Sequence, residues 1–223
     1  MQVFRDAISL DTIDVFRKHH QKYSTEKSLN QINPVEIDVR TLIDEESDAF
    51  AEIKKICQKH FPAVKNSEIY ANYQRQSKPT FMHVDEFGTG RTEKTWTIII
   101  PMHNDERLSV VLLKNIFDSN EDLKKFLMEF DYENSMKKND VSKQVPLSHT
   151  PNNWKKPDQY LADYMDLDGV FKYRIGDYVL FDTNQAHASS NFKIYPEYAH
   201  KDLVQIHIGK SPQIGHDPYF FKK

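Results

Sequence analysis

From residue 68 onward the chain is broken into short runs rich in Thr, Val, Ile and aromatic residues, and this segmentation limits the fold more than any other feature. The runs are 68–74, 80–87, 95–102, 108–113, 170–175, 178–181, 186–192 and 202–208. Several alternate apolar and polar residues, and Gly88-Thr89-Gly90 and Gly176-Asp177 supply turns between them. A strand that alternates in this way has one face to bury and cannot bury it alone. Eight or so such strands therefore predict two sheets packed face to face, as a sandwich or a barrel.

The remaining sequence reads as helix and loop. Asp11 is expected to cap a helix that carries Ile13, Phe16 and Arg17 and runs to about Tyr23. A polar stretch with Pro34 follows over 24–39. A second helix is expected over 44–60, with Phe50, Ile53, Ile56 and Cys57 on one buried face, and Pro62 stops it. Glu45, Glu52, Lys54, Lys55 and Lys59 form its solvated face. Residues 119–130 read as a third amphipathic helix, through Leu123, Phe126, Leu127 and Phe130. Residues 131–156 are polar, carry Lys137, Lys138, Lys143, Lys155 and Lys156, and read as a lid or binding loop. The expected architecture is mainly β with flanking helices (α+β), in a single domain over 1–223. Residues 1–66 form its helical flank, 67–114 and 167–210 its core, and 115–166 an insertion.

Composition removes several functional classes. The net charge of −3 offers no general polyanion-binding surface, so a nucleic-acid partner is not expected. Cys57 is the only cysteine, which excludes a disulfide framework and a cysteine-based zinc site. The N-terminus lacks the charged-then-apolar pattern of a signal peptide. The apolar run 98–102 is too short to cross a bilayer. A cytoplasmic protein without a membrane partner is the expectation.

Chemistry enters with Pro79-Thr-Phe-Met-His-Val-Asp85. On a strand, residues two apart point the same way, so His83 and Asp85 share a face. An imidazole beside a carboxylate is two-thirds of a 2-His-1-carboxylate site for non-haem Fe(II). His-x-Asp occurs three times, at His83-Val-Asp85, His103-Asn-Asp105 and His200-Lys-Asp202, so position has to select among them. His103 and Asp105 follow Pro101 and run into Glu106-Arg107, which reads as an exposed turn. His200 and Asp202 leave little chain after them. His83 and Asp85 lie within a strand-like run and have enough chain after them to return a third ligand.

The distal region offers a candidate. Gly176-Asp-Tyr-Val-Leu-Phe-Asp182, then Thr-Asn-Gln-Ala, then His187-Ala-Ser-Ser-Asn191, reads as strand, polar turn, and a histidine that opens the next strand. With His83 and Asp85, this order resembles the Fe(II)/2-oxoglutarate-dependent oxygenases over residues 70–209, apart from the insertion. The resemblance implies a double-stranded β-helix, a jelly-roll, cupin-like barrel, with His83, Asp85 and His187 as both catalytic and metal-binding residues. It implies Fe(II) and 2-oxoglutarate as cofactors, with 2-oxoglutarate taking two of the three open metal positions and O₂ the third. Succinate and CO₂ would accompany hydroxylation of a small molecule, amino acid or peptide side chain. Related halogenases carry a small residue at the acid's position, so Asp85 argues for hydroxylation.

The same resemblance implies a cation for the distal carboxylate of 2-oxoglutarate, beyond the distal histidine. Lys201 falls there and shares a strand face with Leu203, Gln205 and His207; Arg91 is the competing candidate. Tyr73 sits where these enzymes often place a tyrosine near the cosubstrate. Thr97 is a candidate donor to the distal carboxylate or a plain strand residue. Ser189, Ser190 and Asn191 could line the site, and Trp154 and Tyr160 could meet the substrate. Two other readings stay open: a cupin-like metalloenzyme without 2-oxoglutarate, and a non-catalytic barrel that binds a ligand.

Overall fold

Nine strands and three α-helices are present among the residues described by the computed structural model, which are 1–24, 39–77, 80, 83–85, 94–129, 167–190 and 200–209. In chain order they are β1 (Gln2–Phe4), α1 (Leu10–Tyr23), β2 (Val39–Leu42), α2 (Asp48–His60), β3 (Ile69–Gln76), β4 (Trp96–Pro101) and β5 (Asp105–Ile116). Then come α3 (Asn120–Glu129), β6 (Leu167–Tyr173), β7 (Tyr178–Asp182), β8 (Gln185–Ser189) and β9 (Lys201–Ile208). A six-stranded sheet has the order β1-β7-β4-β9-β3-β2, and a three-stranded sheet the order β6-β5-β8, with every pairing antiparallel. This is a mainly β, jelly-roll-like arrangement.

Strand alternation divides the large sheet into two working faces. On one, Ile98 and Ile100 of β4, Tyr178 and Leu180 of β7, Val204, Ile206 and Ile208 of β9, and Ile69, Ala71 and Tyr73 of β3 meet the helices. Ile13 and Phe16 of α1 and Phe50, Ile53, Ile56 and Cys57 of α2 complete that layer. On the other face, Ile99, Val179, Phe181 and Leu203 pack against Leu108, Val110 and Leu112 of β5 and Phe171 and Tyr173 of β6. The inner strands are thus covered on both sides, which is why they read as near-continuous apolar runs. A smaller cluster of Val84, Leu113, Leu123 and Ala186 seats α3.

Local chemistry explains the helix starts. Ser9 caps α1 by accepting from the Thr12 N–H, and Ser47 caps α2 by accepting from the Phe50 N–H. Asp11, expected as the cap, instead lies in the first turn, where its charge favours the helix dipole. The region 1–66 is also not purely helical. It supplies both edge strands of the large sheet, β1 against β7 and β2 against β3. Strands of three and four residues show too little alternation to be read without their partners.

Gly176 turns the chain from β6 into β7 with φ +92°, and its carbonyl accepts from the Ala7 and Ile8 N–H groups at 2.8 and 3.0 Å. A side chain there would be strained and would bring its Cβ to 3.2 Å from the Ile8 carbonyl. The expected strand over 80–87 is described only at 80 and 83–85, where His83 forms an isolated antiparallel bridge with His187. The turn at 88–90, the loop over 131–156, Arg91, Trp154, Tyr160 and Asn191 lie outside the described residues. No helix among the described residues is long and apolar enough to cross a membrane.

Candidate metal centre

His83 and Asp85 leave the chain between β3 and β4, and His187 is the central residue of β8. The bridge that joins them is a pair of backbone hydrogen bonds, His83 N–H to His187 O and the reverse, both 2.9 Å. Alternation does the rest. His83 and Asp85 face the space between the sheets, while Val84 between them turns into the cluster under α3 and is 1% exposed. The Asp85 N–H donates to the Thr183 carbonyl at 2.9 Å, which anchors the acid's own backbone to the loop between β7 and β8.

One ligand atom from each of His83, Asp85 and His187 lies within 4.8 Å of the others. His83 Nε2 is 3.7 Å from Asp85 Oδ1, and His187 Nε2 is 3.6 Å from Asp85 Oδ2. Both separations exceed hydrogen-bond length. The two imidazoles converge on the carboxylate from opposite oxygens, a spacing suited to groups that share an ion. Two further side chains hold the acid: Thr97 Oγ1 donates to Oδ2 at 3.0 Å and Gln205 Nε2 donates to Oδ1 at 3.1 Å.

Protonation also suits a cation. The ring nitrogen Nδ1 of His187 lies 2.8 Å from the Gln185 carbonyl, which can only accept, so Nδ1 carries the proton and Nε2 keeps its lone pair toward Asp85. Burial raises the Asp85 pKa, but His187, His83 and His207 outweigh it and hold the acid well below the usual carboxylate range. Burial, reinforced by His83, lowers His187 to about 4, against the pull of Asp85. At neutral pH the site is one anion with a neutral distal imidazole, a hard oxygen with borderline nitrogens. That donor set fits a divalent first-row metal. The His83 side chain is 30% exposed and that of His187 only 3%, so the site opens on the His83 side.

Thr97 is fully buried and bonded to the acid. Its one proton goes to Asp85, so its oxygen accepts from His207 Nδ1 at 3.1 Å. Lys201 opens β9 on the inner face, is 1% exposed, and holds its Nζ 5.5 Å from the centre of the Tyr173 ring. It is a buried residue, not a surface lysine. Ser189 Oγ and Ser190 Oγ accept from the backbone N–H groups of Thr80 and Ser109, so they tie strands together.

Tyr73 requires a correction. It stands opposite Val204 in the β3–β9 register and so faces the helices, on the far side of the sheet from Asp85. Its ring stacks on His20 at 4.1 Å and its hydroxyl donates to Asp202 at 3.1 Å. A shift of one residue would have put it inside; the parity of β3 puts it out.

The other His-x-Asp pairs serve structure. His103 is not in an exposed turn: it is half-buried, and its Nε2 accepts from the Asp202 N–H at 2.7 Å. Asp202 is held by Arg75 through two bonds of 2.9 Å, and Asp105 pairs with Arg107. Among the described residues, His83, Asp85 and His187 are the only metal-capable group of this kind. Sequence reasoning missed Gln74, Gln76, Thr183 and Gln185 around it. The signal was the inner face of β3, where Asn72, Gln74 and Gln76 recur at every second position and are all nearly inaccessible.

No family model matches the sequence, and no curated protein matches it. Solved structures do match. The chain is similar to the non-heme alpha ketoglutarate dependent carbocyclase SnoK from nogalamycin biosynthesis (TM-score 0.51, 11% identity, 92% of this chain and 77% of that one). It is similar to HygX from Streptomyces hygroscopicus, solved with nickel and 2-oxoglutarate bound (TM-score 0.51, 12% identity, 93% and 81%). It is also similar to EvdO2 from Micromonospora carbonacea var. aurantiaca, complexed with 2-oxoglutarate (TM-score 0.51, 11% identity, 93% and 85%). The chain shares its fold with these solved structures, and a His-Asp-His group stands within it.

Proposed function

We propose that this chain is an Fe(II)/2-oxoglutarate-dependent dioxygenase on a double-stranded β-helix. It hydroxylates an aliphatic carbon of a small molecule, amino acid or peptide side chain, with succinate and CO₂ as coproducts. The observation that carries the reading is the convergence of His83, Asp85 and His187 from segments a hundred residues apart in sequence, inside a fold shared with such enzymes.

His83 Nε2, His187 Nε2 and a carboxylate oxygen of Asp85 would hold the metal, which when bound couples O₂ to the oxidative decarboxylation of 2-oxoglutarate and oxidation of the substrate. The chain's own residues prepare the site. Gln185 fixes the His187 tautomer, Thr97 and Gln205 orient the Asp85 carboxylate, and the sheet cores exclude water from the distal side. Lys201 would take the distal carboxylate of 2-oxoglutarate, since it is a cation buried between the sheets on the same strand face as Gln205 and His207. Asp85 favours hydroxylation because a carboxylate occupies the position that halogenation requires to be vacated.

Anaerobic addition of Fe(II) and 2-oxoglutarate is expected to produce a visible iron-to-cosubstrate charge-transfer band. His187→Ala abolishes it and Lys201→Ala weakens 2-oxoglutarate binding. Metal binding with no band on adding 2-oxoglutarate would favour a cupin-like enzyme without that cosubstrate. Succinate formation that survives Asp85→Ala would end the assignment.

A further inference from the structure

Three glutamines on the inner face of the large sheet are joined head to tail. Gln76 Nε2 donates to Gln74 Oε1 at 2.9 Å, Gln74 Nε2 donates to Gln205 Oε1, and Gln205 Nε2 donates to Asp85 Oδ1 at 3.1 Å. All three are nearly inaccessible, at 4%, 2% and 9% exposure for Gln76, Gln74 and Gln205. Their placement follows from alternation. Gln74 and Gln76 share a face of β3, and Gln205 sits diagonally across on β9, whose register sets Asn72 opposite Gln205 and Gln76 opposite Lys201.

The direction of the chain is fixed from one end. An ionised carboxylate only accepts, so Gln205 must turn its NH₂ to Asp85 and its carbonyl to Gln74. Gln74 must then offer its NH₂ to Gln205, and Gln76 its NH₂ to Gln74. The far end is left with a carbonyl, and Gln76 Oε1 is indeed buried with no hydrogen-bond partner among the described residues. An unsatisfied buried acceptor is unfavourable, and turning all three amides over would transfer the defect to an oxygen-against-oxygen contact at Asp85. The orphan therefore lies at the end away from the charge.

We infer that Gln76, Gln74 and Gln205 act as a single positioning relay that fixes the rotation of the Asp85 carboxylate, with the acid setting the orientation of amides on two strands. Gln74 and Gln76 hydrogen-bond to neither the acid nor the imidazoles; they act through Gln205. The consequence for metal affinity rests on the metal-centre reading above, but the relay itself does not.

Two measurements test it. In protein labelled at glutamine side-chain nitrogen, hydrogen exchange of the Gln205, Gln74 and Gln76 NH₂ groups is expected to be slow. It should accelerate at all three in Asp85→Leu, and in Asp85→Ala if the leucine variant fails to fold. Acceleration at Gln205 alone overturns the relay, because buried glutamines that merely fill space would not sense the loss of a distant carboxylate. The second measurement is Mn(II) affinity by titration calorimetry. Gln205→Met and Gln74→Met are each expected to weaken binding about tenfold, and the double variant no further than Gln205→Met alone. Losses that multiply, or an unchanged Gln74→Met, overturn the relay. Wild-type protein that fails to bind Mn(II) overturns the metal-centre reading instead, and exchange then decides the relay.

Discussion

Replacing Thr97 by valine removes one hydroxyl and almost no volume, which makes it a sharp probe of the centre. Thr97 is fully buried on β4, between β7 and β9, and valine keeps both the branching and the strand preference. Three polar groups feel the change: Asp85 Oδ2 loses a donor at 3.0 Å, His207 Nδ1 an acceptor at 3.1 Å, and Thr183 Oγ1 a neighbour at 3.4 Å. A hydrogen bond to a charged group is worth about 1.5–3 kcal/mol, and about 1.4 kcal/mol is tenfold in a binding constant. Full transmission to the metal would weaken binding by about 10- to 150-fold. Gln205 still holds the other oxygen, so the lower end of that range is expected. The assay is Mn(II) binding to metal-free protein by calorimetry, with a thermal melt to show that the fold persists. Thr97→Ser, which restores the hydroxyl, should recover most of the affinity. If Thr97→Val binds within about twofold of wild type while Asp85→Ala does not bind, hydrogen bonding from β4 does not organise the acid and the reasoning fails.

Arg75→Met leaves the Asp202 carboxylate buried without its two-pronged partner; since Arg75 is itself partly exposed, a loss of about 2 kcal/mol and a fall in Tm of about 4–8 °C are expected by calorimetric scanning. Ile53→Ala opens a cavity between α2 and the large sheet, and the urea midpoint should drop by the equivalent of about 2–5 kcal/mol with little change in slope; a smaller shift would mean that the helix does not depend on that contact. Burial lowers His207 to about 4, and also lowers His20 and His103. The unfolded chain, with imidazoles near 6.5, binds more protons than the folded one between these values. Stability of the metal-free protein should therefore be full above about pH 6.5 and decline as pH falls toward 4, and melts of equal Tm at pH 5 and 7 would contradict it.

How much of this was legible beforehand depended on whether a residue's role is set locally. The strands β4, β6, β7 and β9 were readable because burial on two faces, or alternation between them, is written into consecutive residues. His83 with Asp85 was readable for the same reason, since a spacing of two needs only one extended segment, while His187 was reached only through the family resemblance that the strand-turn pattern before it carries. The two edge strands β1 and β2 were not, because three or four residues carry no period and only their partners specify them. Nor was the true helix cap at Ser9, one of several polar residues before the helix, any of which could have served.

The sequence by itself determined which side chains could share a face, and hence that an imidazole and a carboxylate would stand together with polar residues repeating beside them. Only the tertiary structure decided which face looked inward. Tyr73 and Gln74 are neighbours in the chain, yet the β3–β9 register sends the tyrosine to the helices and the glutamine toward Asp85. Register across sheets is fixed by contacts between segments far apart in sequence, where a shift of one residue exchanges every inward side chain for an outward one. The chain therefore carries the menu of pairings, and packing selects from it.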